Sequence, residues 1–508
     1  MRILTTKQMM LLEKIAFEHG FSQDMLMRNS GVAAALFIGK KLDLKGKNCV
    51  VLCGPGNNGG CGYKLATKLY GDYIETSVLA VKGEIKNEHV IEAKQAAQKK
   101  GVKILTTDDI EYTSRLIKEA DVLIDAIWGI GFNGLMNDEL QALNILWKNS
   151  NATKFALDVP TGVMADSGIV DKFCFESDYT ISLDSLKPAH VLVNSKEYCG
   201  SVAIVDIGIP EDIHNKIEIT HFLTDEDMVF KNIKPRYFGS NKGDYGKLLN
   251  ISGAKHMVGA ATLSTLGALR VGAGVTTLAS VKDVIQSVSS VVLESRFLPL
   301  AETQQGTISM YAMSKILAAL KEADGCLIGC GLGLNNETIT IVHKIIKEAE
   351  CPVVIDADGI NAIARNVNIL KEKKSKIILT PHVAEMARLL NVSISEVANF
   401  RYQVISDFAK EYNVTVVLKD YNTIIIDETG NVYINIYGNP GLSKGGSGDI
   451  LAGMVAGLVV QGVNNPAVCG VYLHSKAADS CAARKSQYGM LPSDIFEDLC
   501  DIFVKNKR

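Results

Sequence analysis

Along roughly the first two hundred residues, short apolar runs alternate with segments whose apolar positions recur every three or four residues. NCVVLCG (48–54), ETSVLAV (75–81), DVLIDAI (121–127), KFALDVP (154–160), DYTISL (178–183) and SVAIVDIG (201–208) predict strands. Between them, YKLATKLYG and NEHVIEAKQAAQKKG predict helices, and the spacing in MRILTTKQMMLLEKIAFEHG predicts an amphipathic helix at the N-terminus. Strands separated by helices imply βαβ units and a mostly parallel, doubly wound sheet.

The alternation lapses over HNKIEITHFLTDEDMVFKNIKPRYFGSNKGDYG (214–246), which is polar and turn-rich. A domain boundary is expected near residues 220–235, giving domains 1–225 and 226–508. The pattern restarts with KLLNISGA (247–254) and a small-residue helix, VGAATLSTLGALRVGAG. VTTLAS, GCLIGCG, CPVVIDAD, KIILTPH, VTVVLKD, NTIIID and VYINIYG predict further strands, and helices close the chain from residue 449. Both halves are therefore expected to be α/β, and 508 residues exceed what one core ordinarily holds.

Composition narrows the function class. Hydrophobic residues make up 47% and charged residues 21%, and the formal net charge is -3. That balance gives no electrostatic case for nucleic acid or an anionic membrane as partner. The N-terminal segment lacks the apolar core of a signal peptide. LAGMVAGLVVQGV (451–463) is too short and glycine-rich to span a bilayer. Eleven cysteines without a C-x-x-C pair, among them Cys326 and Cys330 on an apolar segment, predict reduced thiols in a cytoplasmic protein.

The densest chemistry of the first half begins at CGPGNNGGCGYKLA (53–66), where Gly54, Gly56 and Gly59 match G-x-G-x-x-G. A glycine-rich turn between strand and helix offers free N–H groups to an anion, and Glu75 stands where a dinucleotide site places its ribose acid. A purely structural strand-to-helix turn accommodates the same residues, and Gly60 loosens the helix start. Two further strand ends weigh against that reading. DAIWGIGFNG places Asp125 before Gly129, Gly131 and Gly134, and LDVPTGVMADSG places Asp158 before Pro160, Thr161 and Gly162. Carboxyl ends of parallel strands share one edge, so Asn58, Asp125, Asp158 and Thr161 can converge there. Oxygen donors without histidine or cysteine suit a hard cation; the competing reading is that each aspartate only caps a helix.

Taken in order, LTTKQMMLLEKIAFEHG, GPGNNGGCG, DAIWGIGFNG, LDVPTGVMADSG and KPAHVLVNSKEYCGSVAIVDIGIP resemble the NAD(P)H-hydrate epimerase family across residues 1–215. The resemblance implies a Rossmann-like domain in which Asn57, Asn58, Gly59, Gly60 and Cys61, with Gly129, Ile130, Gly131, Phe132, Asn133, Gly134 and Leu135, contact a hydrated nicotinamide nucleotide. It also implies that Asn58, Asp125 and Thr161 hold K+ and that Asp158 lies against the damaged ring as catalytic residue. The family loop usually reads N-N-G-G-D-G, so Cys61 replaces an aspartate, and Arg28 stands where glutamate is common. A thiol is a poorer hydrogen-bond acceptor than a carboxylate. In the hydrate, ring-nitrogen assistance expels the hydroxyl, the planar iminium takes water from either face, and a carboxylate shuttles the proton.

In the second half, NPGLSKGGSGDILAGMVAGLVVQG (439–462) places Gly445, Gly446 and Gly448 before Asp449 on a long helix. Free N–H groups and the positive helix end there stabilise phosphate charge, and an aspartate so placed can deprotonate a hydroxyl; the plainer reading is an N-cap. NKGDYGKLLNISGAKHMVGAATLSTLGALRVGAGVTTLA, GCGLG, DADGINAIA, LTPHVAEMARLL and VVLKDYNTIII with that segment resemble the ADP/ATP-dependent NAD(P)H-hydrate dehydratase over about residues 236–490, a ribokinase-like fold. The resemblance implies substrate contacts at Ala260, Gly333, His382 and Asp449, with Asp449 as catalytic base. Nucleotide contacts fall on Lys419, Asp420, Tyr421, Asn422, Thr423, Gly445, Gly446 and Gly448. The usual H-K-G is Asn241-Lys242-Gly243, and Asp420 replaces a glycine. By itself, His382 reads more readily as a helix-start residue than as a ligand contact, a weighting its place in TPHVAEMARLL reverses, and Lys419 reads equally as a solvated lysine.

The implied chemistry is phosphorylation of the ring hydroxyl by ADP or ATP with Mg2+, followed by elimination. NADHX and NADPHX are the implied substrates, without nucleic acid or membrane, and a homo-oligomer is the expected assembly. Two other readings stay open: a ribokinase-like kinase for a vitamin precursor, and an N-terminal nucleotide-binding module without catalysis.

Overall fold

The computed structural model describes residues 1–508. Two compact units divide the chain, one of Arg2–His221 and one of Phe222–Arg508 together with Met1.

The N-terminal unit is built on β1 (Asn48–Cys53), β2 (Glu75–Ala80), β3 (Lys103–Thr106), β4 (Val122–Ala126), β5 (Thr153–Leu157), β6 (Tyr179–Leu183) and β7 (Ser201–Val205). They form a parallel sheet in the order β3-β2-β1-β4-β5-β6-β7. β4 is buried throughout, as expected of a strand covered by helices on both faces. One face buries Met27, Ile38, Leu65 and Leu69, and the other Ile117, Leu140, Leu143 and Trp147. The chain leaves β1 toward β2 in one direction and returns to β4 in the other, which opens a crevice at the strands' carboxyl ends.

Two details depart from the sequence pattern. β3 carries only four residues, KILT, on the sheet edge without a fully buried position, so it lacks an apolar run. The helix expected from Tyr63 begins six residues earlier: α3 (Asn57–Gly71) follows α1 (Thr6–Glu18) and α2 (Gln23–Lys41) and takes N-N-G-G-C-G into its first turns. The reason is close packing. A Cβ on Gly59 would lie 1.9 Å from the Gly54 carbonyl oxygen, and one on Gly60 2.5 Å from the Met27 sulfur.

The C-terminal unit carries β8 (Lys247–Ile251), β9 (Val275–Val281), β10 (Arg296–Leu300), β11 (Gly325–Ile328), β12 (Val353–Ile355), β13 (Ile377–Leu379), β14 (Thr415–Leu418), β15 (Thr423–Ile426) and β16 (Val432–Asn435). They lie in the order β16-β15-β14-β13-β12-β11-β8-β9-β10. Neighbours from β10 to β14 are parallel, and β15 and β16 close the run as antiparallel strands. β10 was hidden in the sequence because Pro299 interrupts it, which only an edge strand tolerates. Helices α4 (Val258–Arg270), α5 (Val383–Leu390), α6 (Ser447–Val460) and α7 (Pro466–Gly489) flank the sheet. No helix is long and apolar enough to cross a membrane.

α6 is apolar on nearly every face and its backbone runs against that of α4. A Cβ on Gly453 would stand 2.1 Å from the Ser264 carbonyl oxygen, and one on Gly457 2.7 Å from that of Ala268. This contact fixes where the N-terminus of α6 points. Gly453→Ala should therefore force the helices apart and cost about 1–3 kcal/mol or more, by analogy with overpacked cores. Thermal unfolding followed by circular dichroism measures it against Gly239→Ala, where an added Cβ meets nothing within 4 Å. Equal midpoints for the two variants would show that the helices part without cost.

Candidate active sites

At the carboxyl edge of the first sheet, Asp125 ends β4 with no exposed surface. Its Oδ2 accepts Thr161 N–H at 2.7 Å, and its Oδ1 accepts the Thr161 hydroxyl at 2.8 Å and Ile127 N–H at 3.0 Å. The Thr161 oxygen accepts Trp128 N–H at 3.0 Å. Asn58, in the first turn of α3, donates to the Leu157 carbonyl at 3.2 Å. Burial pushes Asp125 up to about 6, and hydrogen bonds, without any basic side chain, oppose it. Asp125 is therefore a buried carboxyl group without a counter-charge from the chain, its oxygens met by two backbone N–H groups and the Thr161 hydroxyl.

Asp158 follows β5 and turns sharply, with φ of 69°. Aspartate is among the few residues that adopt this left-handed conformation at modest cost. Its Oδ1 pairs with Lys187 Nζ at 2.5 Å, and its Oδ2 accepts Ile130 N–H at 3.3 Å. Lys187 has no exposed side-chain surface and also donates to the Leu183 carbonyl at 2.7 Å. His190 completes the cluster: Nδ1 accepts Lys187 N–H at 3.0 Å, and Nε2 lies 2.8 Å from the Asp158 carbonyl. Burial lowers this imidazole to about 4, so the ring is neutral and its proton sits on Nε2. KPAH was visible in the sequence, but Lys187 was not named there; its cue was a lone lysine in an apolar setting after a strand end.

Asp158, Lys187 and Ile130 border a cavity of about 270 Å³. Of the expected contacts, Asn57, Asn58, Cys61, Gly129, Ile130, Gly131 and Asp158 line it. Gly59 and Gly60 do not; they are packed against Gly54 and Met27. Phe132 turns into the core, while Asn133, Gly134 and Leu135 face outward. Gly129 is tied to the site because a Cβ there would lie 2.8 Å from Asp158 Oδ2. Burial pushes the Cys61 thiol up to about 12, so it stands in the wall as a neutral group.

In the C-terminal unit, Gly446 is the N-cap of α6 with φ of 102°, and Asp449 is its third residue, so Asp449 is not the cap. The first N–H groups of the helix have no partner within it. A Cβ on Gly448 would stand 3.3 Å from Lys419 Nζ, which pairs at 2.7 Å with Asp356 Oδ1. Lys419 is thus half of a largely buried ion pair rather than a solvated lysine. Thr380 donates to the same Asp356 oxygen at 2.7 Å, and the Cys330 thiol lies 3.8 Å from the other. Ligand atoms of Cys330, Asp356 and Asp449 fall within 4.8 Å of one another. Burial and the Asp356 charge push Asp449 up to about 6. Two carboxylates so close suit a hard divalent cation accompanied by phosphate oxygens.

His382 caps α5, its Nδ1 accepting Ala384 N–H at 3.1 Å, and bridges to Lys419 through Lys419 N–H and the Pro381 carbonyl at 2.8 Å. It is both a helix-start residue and a neighbour of the site. Gly333 N–H donates to Asp358 at 2.8 Å, and Ala260 packs under Gly331. In the strand-end loop, Asp420 is held by Arg401 at 2.7 Å, Tyr421 is exposed, Asn422 is buried and Thr423 opens β15. Gly445 is exposed with open space around it. Asp356 and Cys330 are members of this cluster that sequence reasoning did not single out as site residues.

Comparison with known proteins follows the same division. The NAD(P)H-hydrate dehydratase family model matches residues 248–500, and that of the YjeF-related protein N-terminus matches residues 23–189. The bifunctional NAD(P)H-hydrate repair enzyme Nnr of Moorella thermoacetica is 31% identical over 510 residues, 98% of this chain and 96% of that protein. Its namesake in Escherichia coli is 28% identical, across 89% and 84%. Among solved structures, the ADP/ATP-dependent NAD(P)H-hydrate dehydratase from Bacillus subtilis, co-crystallised with ATP/Mg2+, is 28% identical with a TM-score of 0.50, covering 56% of this chain and 98% of that one.

Lys187 is the only cationic side chain paired with Asp158. Lys187→Met should cost about 3–5 kcal/mol by leaving a buried charge unpaired, and Asp158→Asn in the same chain should recover most of it. Tryptophan fluorescence during denaturation reads this unit alone, because both tryptophans, Trp128 and Trp147, lie in it. A single variant as stable as wild type would mean that the pair is not essential to the fold.

Proposed function

The chain belongs to the family of bifunctional NAD(P)H-hydrate repair enzymes, and from that premise we propose how its two clusters divide the work. The enzyme epimerises the R and S forms of hydrated NADH and NADPH and dehydrates the S form at the expense of a nucleotide. The observation that carries the division is the presence of one buried aspartate–lysine pair in each unit, Asp158 with Lys187 and Asp356 with Lys419.

In the N-terminal unit, the cavity beside Asp158 receives the hydrated ring. Asn57, Asn58, Cys61 and the Gly129–Gly131 turn border it, and Asp158 moves the proton during loss and return of the hydroxyl. Asn58, Asp125 and Thr161 would hold K+, whose role is to neutralise the buried Asp125 charge and brace the loop. In the C-terminal unit, Asp449 takes the proton from the ring hydroxyl while the open N-terminus of α6, with Gly445, Gly446 and Gly448, cradles the transferring phosphate. Mg2+ brought with ADP or ATP would be held by Asp356 together with the phosphate oxygens and would neutralise phosphate charge, leaving Asp449 free as the base. Asp420 is tethered by Arg401, so Lys419 and Thr423 are the members of that loop best placed for nucleotide. The match through both units favours this reading over a vitamin-precursor kinase with an inert N-terminal module. Eleven free cysteines fit a cytoplasmic setting, and we expect a homo-oligomer.

Purified full-length enzyme given NADHX, ADP and Mg2+ should regain the absorbance of the dihydronicotinamide. Asp449→Asn should lower that rate by roughly a thousandfold, within the usual range for loss of a general base. Asp158→Asn should still dehydrate the S form but leave the R form behind. No regained absorbance with either ADP or ATP would sink the assignment.

The dehydration rate should also rise with pH through about 6, as Asp449 loses the proton that burial makes it retain. The linkage has the opposite sign for stability. A carboxyl group whose folded-state pKa is raised favours the fold below its unfolded value, and that contribution is lost as pH climbs through about 6. Asp449→Asn should remove both effects; a rate that is flat from pH 5 to 8 would place the base elsewhere.

A further inference from the structure

Helix α1 buries Met9, Leu12 and Ala16 and presents Met9, Met10, Glu13 and Phe17 to the cavity that holds Asp158. Glu13 is thus an acid on the helix wall of a cavity whose sheet wall carries Asp158 and Lys187. It makes no ion pair: Lys187 is already engaged by Asp158 and the Leu183 carbonyl. Glu13 is pushed up to about 7 by burial and then by the Asp158 charge, with Lys187 opposing and Asp184 adding a smaller like-charge effect. The remaining titratable group of the cavity, Cys61, is a neutral thiol.

Epimerisation poses a demand that one aspartate does not meet. The hydroxyl leaves one face of the ring and water returns to the other, so proton transfer is needed on both. Asp158 is engaged by an ammonium group and a backbone N–H, contacts that place hydrogen-bond donors on both of its oxygens. Loss of the hydroxyl needs a donor. We propose that Glu13 is a second proton-transfer residue of the epimerase, serving the ring face turned toward α1. In one direction the protonated Glu13 carboxyl gives its proton to the leaving hydroxyl. The carbon–oxygen bond breaks with its electrons on oxygen, forming water, and the ring-nitrogen lone pair forms the iminium double bond. Water then adds to the opposite face, the iminium electrons return to nitrogen, and the proton lost by that water passes to Asp158. The reverse passage exchanges the two roles, and solvent resets both protons.

The proposal rests on the epimerase assignment and is tested with the full chain without nucleotide, so that the dehydratase is idle. Starting from one pure NADHX epimer, interconversion is followed by chromatography for wild type, Glu13→Gln, Glu13→Asp and Asp158→Asn. Glu13→Gln should lower kcat about 100-fold, a usual loss for a general acid. KM should stay within about threefold, the signature of a contact made in the transition state. Glu13→Asp should recover part of the rate, and the wild-type pH limb near 7 should vanish in Glu13→Gln. The fluorescence unfolding midpoint of Glu13→Gln should be no lower than that of wild type, since the change removes a buried acid. An active wild type with an equally active Glu13→Gln, or a loss confined to KM with the pH limb retained, overturns the proposal alone. A wild type at the uncatalysed rate overturns the epimerase assignment and the proposal with it.

Discussion

A carboxylate buried at the end of a parallel strand must find a positive partner or give up its charge, and the functional geometry of both units depends on how this is met. Two strand-end aspartates meet it with lysines from neighbouring turns, Asp158 with Lys187 and Asp356 with Lys419. Removing one partner of such a pair leaves the other charge uncompensated, so each lysine fixes the loop that carries it. Asp125 takes another course, with three hydrogen-bond donors on its oxygens and no cation from the chain. The same physics that anchors two loops thus leaves one buried carboxyl group held by hydrogen bonds alone, the node at which the K+ proposal is placed.

The pairs also sort the acids. Asp158 and Asp356 each have a lysine partner, whereas Glu13 and Asp449 lie beside them without a lysine of their own and are pushed up to about 7 and about 6. Divergent environments for neighbouring carboxyl groups are how one site supplies both a proton donor and a proton acceptor. In the C-terminal unit the result is a raised carboxyl group close to the open end of α6, the group to which the proposed mechanism gives the hydroxyl proton. In the N-terminal unit it is a cavity with an acid on one wall and a paired carboxylate on the other.

Much of this was legible in the chain. The strands with buried runs of four or more apolar residues were found, because periodicity reports burial directly. What escaped were strands at edges, β3 and β10, whose half-exposed residues and Pro299 carry no such pattern. The start of α3 was misplaced because consecutive glycines signal a loop, whereas here they permit backbone contact with Gly54 and Met27. Asp125 and Asp158 were recognisable from their place at strand ends, whereas Asp356 was not singled out. The lysine partners were not recognisable, since Lys187 lies 29 residues beyond Asp158 and Lys419 is 63 residues beyond Asp356, and only the fold joins them. Glu13 looked like any polar residue of an amphipathic helix until the cavity showed what its carboxyl faces.

Cys61 takes its meaning from the same electrostatics. It stands where the family usually carries an aspartate, and in this chain burial keeps its thiol neutral. The cavity already holds Glu13 and Asp158, and the Asp158 charge already helps push Glu13 up to about 7. A third carboxylate would add like-charge repulsion and raise Glu13 further. The thiol forgoes an acceptor for the substrate but spares the cavity that charge. In the proposed mechanism the cost of the thiol therefore falls on substrate contact rather than on the proton transfers assigned to Glu13 and Asp158.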